Sequence, residues 1–141
     1  PWGRKELTAP WTLPDAAETA WEILLEIPAQ QQTGGLLLQV GNCFALELTL
    51  VSRTLHAYVK DTGEQTMQDC GTLQLVPGAP VRLQVFLDRC SAEIFADGKC
   101  LSVNVFDTAP LRPVSLIPQG GTLPLQLLQV WQLQHVMEPQ T

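Results

Sequence analysis

The sequence has little positive charge and no long apolar run. Its 141 residues include 8 lysines and arginines against 14 aspartates and glutamates, which gives a net charge of −6. A domain that binds nucleic acid normally carries a basic patch, so this balance argues against nucleic acid as a partner. Uninterrupted apolar stretches are only a few residues long, far short of the ~20 residues that a membrane-spanning helix needs. We therefore expect no membrane partner either.

Histidines and cysteines are few and scattered. His56 and His135 lie far apart, and none of the four cysteines forms a CxxC pair. The sequence therefore predicts no metal site and no cofactor. Cys90 and Cys100 flank a predicted strand about 17 Å long at ~3.3 Å per residue, whereas a disulfide needs Cα atoms within about 7 Å of each other. The sequence leaves open whether Cys43 or Cys70 pairs with another cysteine. We expect four free thiols, which favours a reducing compartment and a cytoplasmic location over secretion.

Composition divides the chain into three parts. Residues 1–20 contain three prolines and no clear period, which is typical of a linker or an irregular lead-in. Residues 21–135 form the predicted domain, and residues 136–141 are a short tail. Because the chain starts at Pro1 rather than at a methionine, we expect it to be a piece of a longer protein.

From Trp21 onward, apolar and polar residues alternate with the period of two that a β-strand imposes. About ten such short segments, separated by turns, predict an all-β fold. We expect a two-sheet antiparallel β-sandwich of the jelly-roll or concanavalin-like kind. Trp21 and Trp131 lie in predicted strands, so we expect both in the core.

A hairpin is predicted in "CFALELTLVSRTLHAYV". A turn at Ser52-Arg53 places Leu50 opposite Leu55 and Leu48 opposite Ala57. The apolar side chains of both strands then share one face.

Residues 81–106 predict a three-stranded meander. Asp97-Gly98 is a two-residue hairpin signal, because both central residues of a type I′ turn need a positive φ. This turn pairs Ile94 with Leu101, and a turn at Arg89-Cys90 pairs Val85 with Ile94. All the aliphatic side chains then lie on one face, and a slip of one residue would destroy that arrangement.

The other face of the meander carries three phenylalanines. Its members are Arg82, Gln84, Phe86, Glu93, Phe95, Ser102, Asn104 and Phe106. Phe86 and Phe95 are expected to be diagonal neighbours across two strands. A wholly solvated face would not usually carry three phenylalanines. We consider three interpretations: a docking surface for another domain, an aromatic platform for a sugar, or a second layer of packing inside the domain.

Asp88 and Glu93 are the nearest approach to a catalytic pair. Glycoside hydrolases usually use two carboxyl groups that flank the bond to be cleaved. Asp88, however, lies in a predicted surface turn and Glu93 lies mid-strand on the polar face. A catalytic carboxyl group needs burial or a like charge nearby, and nothing in the sequence predicts either. We expect no catalytic residue in this chain.

The stretch "LQVFLDRCSAEIFADGK" resembles the signature of the C-terminal β-sandwich of glycoside hydrolase family 32, the β-fructosidases. The matching positions are Phe86, Asp88, Ser91, Glu93, Ile94, Phe95, Asp97 and Gly98. Cys90 stands where serine is usual, Ala92 where valine is usual, and Ala96 where asparagine often precedes Asp-Gly. The segments "WEILLEI" and "LQLLQVWQLQ" look like the first and closing strands of that sandwich.

This resemblance implies that the chemistry lies outside the chain. In that family an N-terminal five-bladed propeller carries an aspartate nucleophile in a W-(M/L)-N-D-P-N-G motif, an R-D-P motif, and a glutamate acid/base in an E-C motif. None of these strings occurs here. The signature residues would accordingly be structural.

The implied function is that of a non-catalytic accessory domain. It would support the propeller of the same polypeptide, in an enzyme that hydrolyses sucrose, sucrose phosphate or fructan. The interdomain face would comprise Arg82, Phe86, Glu93, Phe95 and Phe106. Two alternatives are a free-standing module that binds fructan, and a domain that self-associates as a homodimer through the same face.

Overall fold

The computed structural model describes residues 2–3, 6–13, 20–41, 44–59, 68–88, 91–104 and 113–133. Within these ranges the chain forms fourteen strands and no helix. The first seven are β1 (Trp2–Gly3), β2 (Glu6–Leu7), β3 (Trp11–Thr12), β4 (Ala20–Ile27), β5 (Gly35–Val40), β6 (Phe44–Thr49) and β7 (Thr54–Val59). The others are β8 (Gln68–Gln74), β9 (Val81–Leu87), β10 (Ser91–Ala96), β11 (Lys99–Asn104), β12 (Val114–Gln119), β13 (Leu123–Pro124) and β14 (Leu127–Leu133).

Two six-stranded sheets build the domain. The first has the order β1-β14-β4-β9-β10-β11 and the second has the order β3-β12-β5-β6-β7-β8, while β13 pairs with β2. Every strand pair is antiparallel. The predicted all-β sandwich is confirmed, and ten of the described strands have six residues or more, which agrees with the expected number of about ten short strands.

The core lies between the sheets and follows the period-two pattern. Ile23, Val85 and Ile94 of the first sheet are fully buried, as are Leu38 and Leu55 of the second. Each such side chain contributes about 1.5–3 kcal/mol by leaving water. Trp21 is also buried, as predicted.

Part of the proline-rich lead-in joins the sheets. Strand β1 pairs with β14 and β3 pairs with β12, while Leu7 and Leu13 are buried in the core. Residues before Ala20 therefore extend both sheets.

The meander has the predicted register. Val85 pairs with Ile94, and Ile94 pairs with Leu101. Asp97 has φ 54° and Gly98 has φ 72°, the two positive values that a type I′ turn requires. This register points Phe86 and Phe95 away from the core.

The predicted register of the β6–β7 hairpin is wrong by two residues. Leu48 pairs with Leu55, not with Ala57. Leu50 belongs to the turn, where its N–H donates to Gly34 O at 3.0 Å and its carbonyl accepts from the N–H of Arg53. Because the shift is an even number, the apolar side chains remain on the core face.

Arg53 explains how this turn is held. It has φ 54° and is 5% exposed. Its Nη2 donates to the carbonyl oxygens of Ala29 at 3.0 Å and Gln31 at 3.4 Å. The guanidinium therefore ties the β6–β7 turn to the β4–β5 connection.

The described ranges hold no helical segment of the length and hydropathy that a membrane crossing would take. Cys100 is a free, exposed thiol. Cys43 and Cys90 lie outside the described residues, as do the side chain of Cys70 and the whole of Phe106.

Candidate functional site

The outer face of the first sheet presents the phenylalanines singled out from the sequence. We call the surface around Arg82, Phe86, Glu93 and Phe95 the phenylalanine face. Phe86 lies opposite Glu22 on β4 and Glu93 on β10. Strand alternation places all four side chains on the side away from the core, because Val85 and Ile94 point inward.

Phe86 and Phe95 form an aromatic pair at the centre of this face. Their ring centroids are 5.9 Å apart and the ring planes are inclined at 87°, which is the edge-to-face arrangement that aromatic quadrupoles favour. Phe95 is 37% exposed, while Phe86 is half-buried. The predicted diagonal contact is therefore present, and one of its two rings is open to solvent.

Polar side chains frame the aromatic pair. Gln84 Nε2 donates to Glu22 Oε2 at 2.9 Å, and Arg82 Nη1 lies 3.9 Å from Glu26 Oε1. The Arg82 side chain is 59% exposed, so this long ion pair adds little stability. Arg82 remains available to a partner's carboxylate or hydroxyl groups.

Sequence reasoning missed two apolar members of the same surface. Trp131 was predicted in the core, but it pairs with Glu22 and is only half-buried, which places it on the outer face. Leu24 pairs with Gln84 and lies outside the core cluster, although it is 9% exposed. The alternation of Trp131 with the buried Val130 was the signal that could have found it.

A shallow open pocket of about 330 Å³ adjoins Phe95. It is lined by Arg82, Gln84, Phe95, Ala96, Asp97 and Gly98. The hairpin turn forms one wall, and Gly98 leaves that wall low because it has no side chain. The pocket can receive a side chain that protrudes from a partner.

Several signature residues shape turns rather than a reaction centre. The backbone N–H of Asp88 donates to Ser91 O at 2.9 Å and closes the β9–β10 turn. Asp97 Oδ2 accepts the backbone N–H of Val76 at 2.6 Å, which ties the hairpin to the loop before β9. Asp88 and Glu93 are both exposed, and no cluster of metal-ligating side chains occurs among the described residues. This geometry offers a binding surface.

The family model for the C-terminal domain of glycosyl hydrolases family 32 matches residues 12–132. The chain belongs to this family. Comparison with curated protein sequences gives no match.

The solved structures of an exo-inulinase and a fructofuranosidase share the fold of this family 32 domain. Exo-inulinase from Aspergillus awamori is 16% identical, with a TM-score of 0.71 over 94% of this chain and 29% of that enzyme. Fructofuranosidase from Schwanniomyces occidentalis, complexed with fructose, is 8% identical, with a TM-score of 0.62 over 92% of this chain and 32% of that enzyme. The chain thus spans about a third or less of each enzyme.

Free-standing sandwiches share the fold as well. A toad ovary galectin in complex with thio-digalactose is 14% identical, with a TM-score of 0.56 over 89% of this chain and 100% of the galectin. The fold therefore occurs both as part of a longer chain and as the whole of a shorter one.

Proposed function

We propose that this family 32 domain is the non-catalytic C-terminal part of a β-fructosidase acting on sucrose, sucrose phosphate or fructan. Its role is to support an N-terminal five-bladed propeller of the same polypeptide. The observation that carries the proposal is the presence of Phe86, Phe95 and Trp131 on the outer face of the first sheet, in a chain whose family is named for its C-terminal position.

The phenylalanine face has the composition of a docking surface. Interfaces are enriched in aromatic side chains and arginine at their centre, with polar groups at the rim. Phe86, Phe95 and Trp131 supply the aromatic groups, and Arg82 lies beside the pocket at Phe95. Docking would remove the exposed ring of Phe95 from water and give the pocket an occupant.

The denatured mass of the native protein tests this proposal. An antibody raised against this chain should detect a band several times heavier than 15.5 kDa in extracts of its source. The same species, once purified, should release fructose from sucrose or a fructan. A native band at 15.5 kDa would contradict the proposal, because no propeller would then be attached.

A further inference from the structure

We propose that strand β11 is a pairing edge, at which two copies of this chain join strand to strand through backbone hydrogen bonds. The edge ends the first sheet and is a different surface from the phenylalanine face. The inference goes beyond the proposed function and does not depend on an attached propeller.

Register shows which backbone groups of β11 face outward. Ala96 pairs with Lys99 across the Asp97-Gly98 turn, and the two residues that flank a two-residue hairpin turn exchange both of their backbone hydrogen bonds. Hydrogen bonding alternates along an antiparallel strand, so every second residue of β11, beginning with Lys99, bonds to β10. The residues that direct their N–H and C=O groups away from β10 are Cys100, Ser102 and Asn104.

The β9–β10 turn gives the same phase independently. The N–H of Asp88 donates to Ser91 O at 2.9 Å, so Ser91 and every second residue after it bond to β9. Ile94 then bonds to Leu101 on β11, which again leaves Ser102 facing outward. No described strand lies beyond β11, so three N–H and three C=O groups have no sheet partner in the described part of the chain.

The other described sheet edges carry features that hinder pairing. Strands β1 and β3 have only two residues each. Strand β8 has a register shift opposite Ala57 and Tyr58, and at its end Lys99 Nζ donates to Gln74 O at 2.7 Å. Very short strands, bulges and lysines are means by which proteins protect sheet edges. Strand β11 is six residues long with a continuous register, and after Lys99 it contains no proline and no charged side chain.

A second copy of β11 fits this edge in the antiparallel orientation. Placing Ser102 opposite Ser102 of the other copy sets each Cys100 opposite an Asn104. All three outward-facing residues then pair, with six N–H···O bonds, more than any other register of the two strands allows. Uncharged side chains meet at every one of these positions, so no like charges oppose each other.

Leu101 adds an apolar contribution to the contact. It is half-buried and packs against the core cluster, close to Gly71 of β8, where a Cβ atom would lie 2.6 Å from Leu101 Cδ1. The same register places Leu101 opposite Val103 of the other copy. Pairing therefore covers apolar surface as well as backbone groups.

The contact closes at two copies and is compatible with docking at the phenylalanine face. Each chain offers one such edge, and a twofold axis through Ser102 closes the pair. The first sheets would join into one sheet of twelve strands, six from each copy. Neighbouring strands rotate by ~20–25°, and five such steps separate the β9 strands of the two copies. The two phenylalanine faces therefore point in different directions.

Sedimentation velocity of the 141-residue chain, from about 5 to about 500 µM, tests the dimer. The wild-type mass should rise from 15.5 kDa toward twice that value as concentration increases, because a small contact is weak. Ser102→Lys should raise the dissociation constant about tenfold or more, since it places two like charges opposite each other at the twofold axis. Added salt should restore part of the affinity of this variant.

Ser102→Pro removes the N–H group at the centre of the edge and should abolish the dimer. Proline is tolerated in an edge strand where its nitrogen faces away from the neighbouring strand. Ser102→Ala is the matched control: it keeps the N–H group, so its dissociation constant should change by less than about threefold. Thermal melting shows which variants are folded, and Ser102→Lys keeps the test decisive if Ser102→Pro unfolds.

Asn104→Cys reports the register. The new thiol would face Cys100 of the other copy with Cα atoms ~5.5 Å apart, within the range of a disulfide. Within one chain the two positions are four residues apart on a strand, ~13 Å, and cannot be bridged. Mild oxidation of this variant should therefore give a dimer linked between these two positions, as identified by peptide mass mapping.

Several outcomes would overturn the pairing edge. They are a strict monomer at about 500 µM, a dimer that both Ser102→Lys and Ser102→Pro leave intact, and an oxidised Asn104→Cys dimer linked only through other cysteines. A dimer that is dispersed by Phe86→Asp with Phe95→Asp, but not by the Ser102 variants, would also contradict it, because the copies would then meet at the phenylalanine face.

Discussion

At Gly35 the backbone of the neighbouring strand lies so close that no side chain fits. A Cβ atom at Gly35 would collide with the carbonyl oxygen of Leu48 on the neighbouring strand. Gly35 pairs with Thr49, so the collision lies inside a hydrogen-bonded ladder that cannot move aside freely. The residue is fixed by the approach of another backbone and not by a turn.

We predict that Gly35→Ala destabilises the domain by about 2–3 kcal/mol, because the two strands must separate to admit the methyl group. Urea denaturation of the 141-residue chain measures this. Gly71→Ala is the control: its Cβ would lie 2.6 Å from Leu101 Cδ1, the end of a side chain that can change rotamer, so about 1 kcal/mol or less is expected. Equal losses in the two variants would show that the β5–β6 ladder is looser than described.

At the scale of elements, the sequence predicts local register well where a turn specifies it. Asp97-Gly98 requires positive φ at both residues, which fixes the β10–β11 pairing to a single register. The β6–β7 hairpin carries no such signal. Its turn depends on the buried guanidinium of Arg53 reaching the carbonyl of Ala29, and a contact across 24 residues leaves no local pattern.

The same limit explains which parts of the candidate site were found. Phe86 and Phe95 lie on adjacent strands of one meander, so alternation alone placed them together. Trp131 reaches the same face only because β14 pairs with β4, strands that stand at opposite ends of the domain sequence. Alternation assigns a residue to one of two faces but does not say which strands are neighbours.

Asp97 links the β10–β11 hairpin to the loop before β9, and we predict that Asp97→Ala costs about 1–2 kcal/mol. The variant loses the 2.6 Å hydrogen bond from the N–H of Val76, and alanine tolerates positive φ less well than aspartate does. Asp97→Asn should retain most of the stability, since asparagine keeps both an acceptor oxygen and a preference for positive φ. Chemical denaturation measures the free energy of unfolding of both variants. An equal loss of stability in the two would show that the charge of Asp97, and not its hydrogen bond, stabilises the domain.

At the scale of the whole molecule, the outer faces of the two sheets differ in the side chains that they present. The first sheet presents Trp131, Phe86 and Phe95, with Arg82 beside them, while the second presents Gln39, Glu47 and His56 around a small alanine. Large aromatic groups suit a permanent protein contact, whereas a face of polar side chains suits contact with solvent. This asymmetry supports a sandwich that is attached on one side and open on the other.

The double variant Phe86→Asp with Phe95→Asp tests the attached side in two molecular settings. In the 141-residue chain it removes one edge-to-face contact, worth about 1 kcal/mol, and the partial burial of Phe86, and it adds a carboxylate beside Glu22 and Glu93 on the solvent-facing side of the sheet. In the proposed full-length enzyme the same carboxylates would be held in a dry interface without partners, which costs several kcal/mol more. Since ~1 kcal/mol shifts the melting midpoint of a domain by roughly 2–8 °C, the full-length enzyme should lose clearly more thermal stability than the isolated chain, while activity per folded molecule stays unchanged.

The control is Val51→Asp, at a turn residue that is 73% exposed. It should lower neither melting midpoint appreciably. If the double variant lowers both midpoints by the same amount, the propeller does not rest on the phenylalanine face.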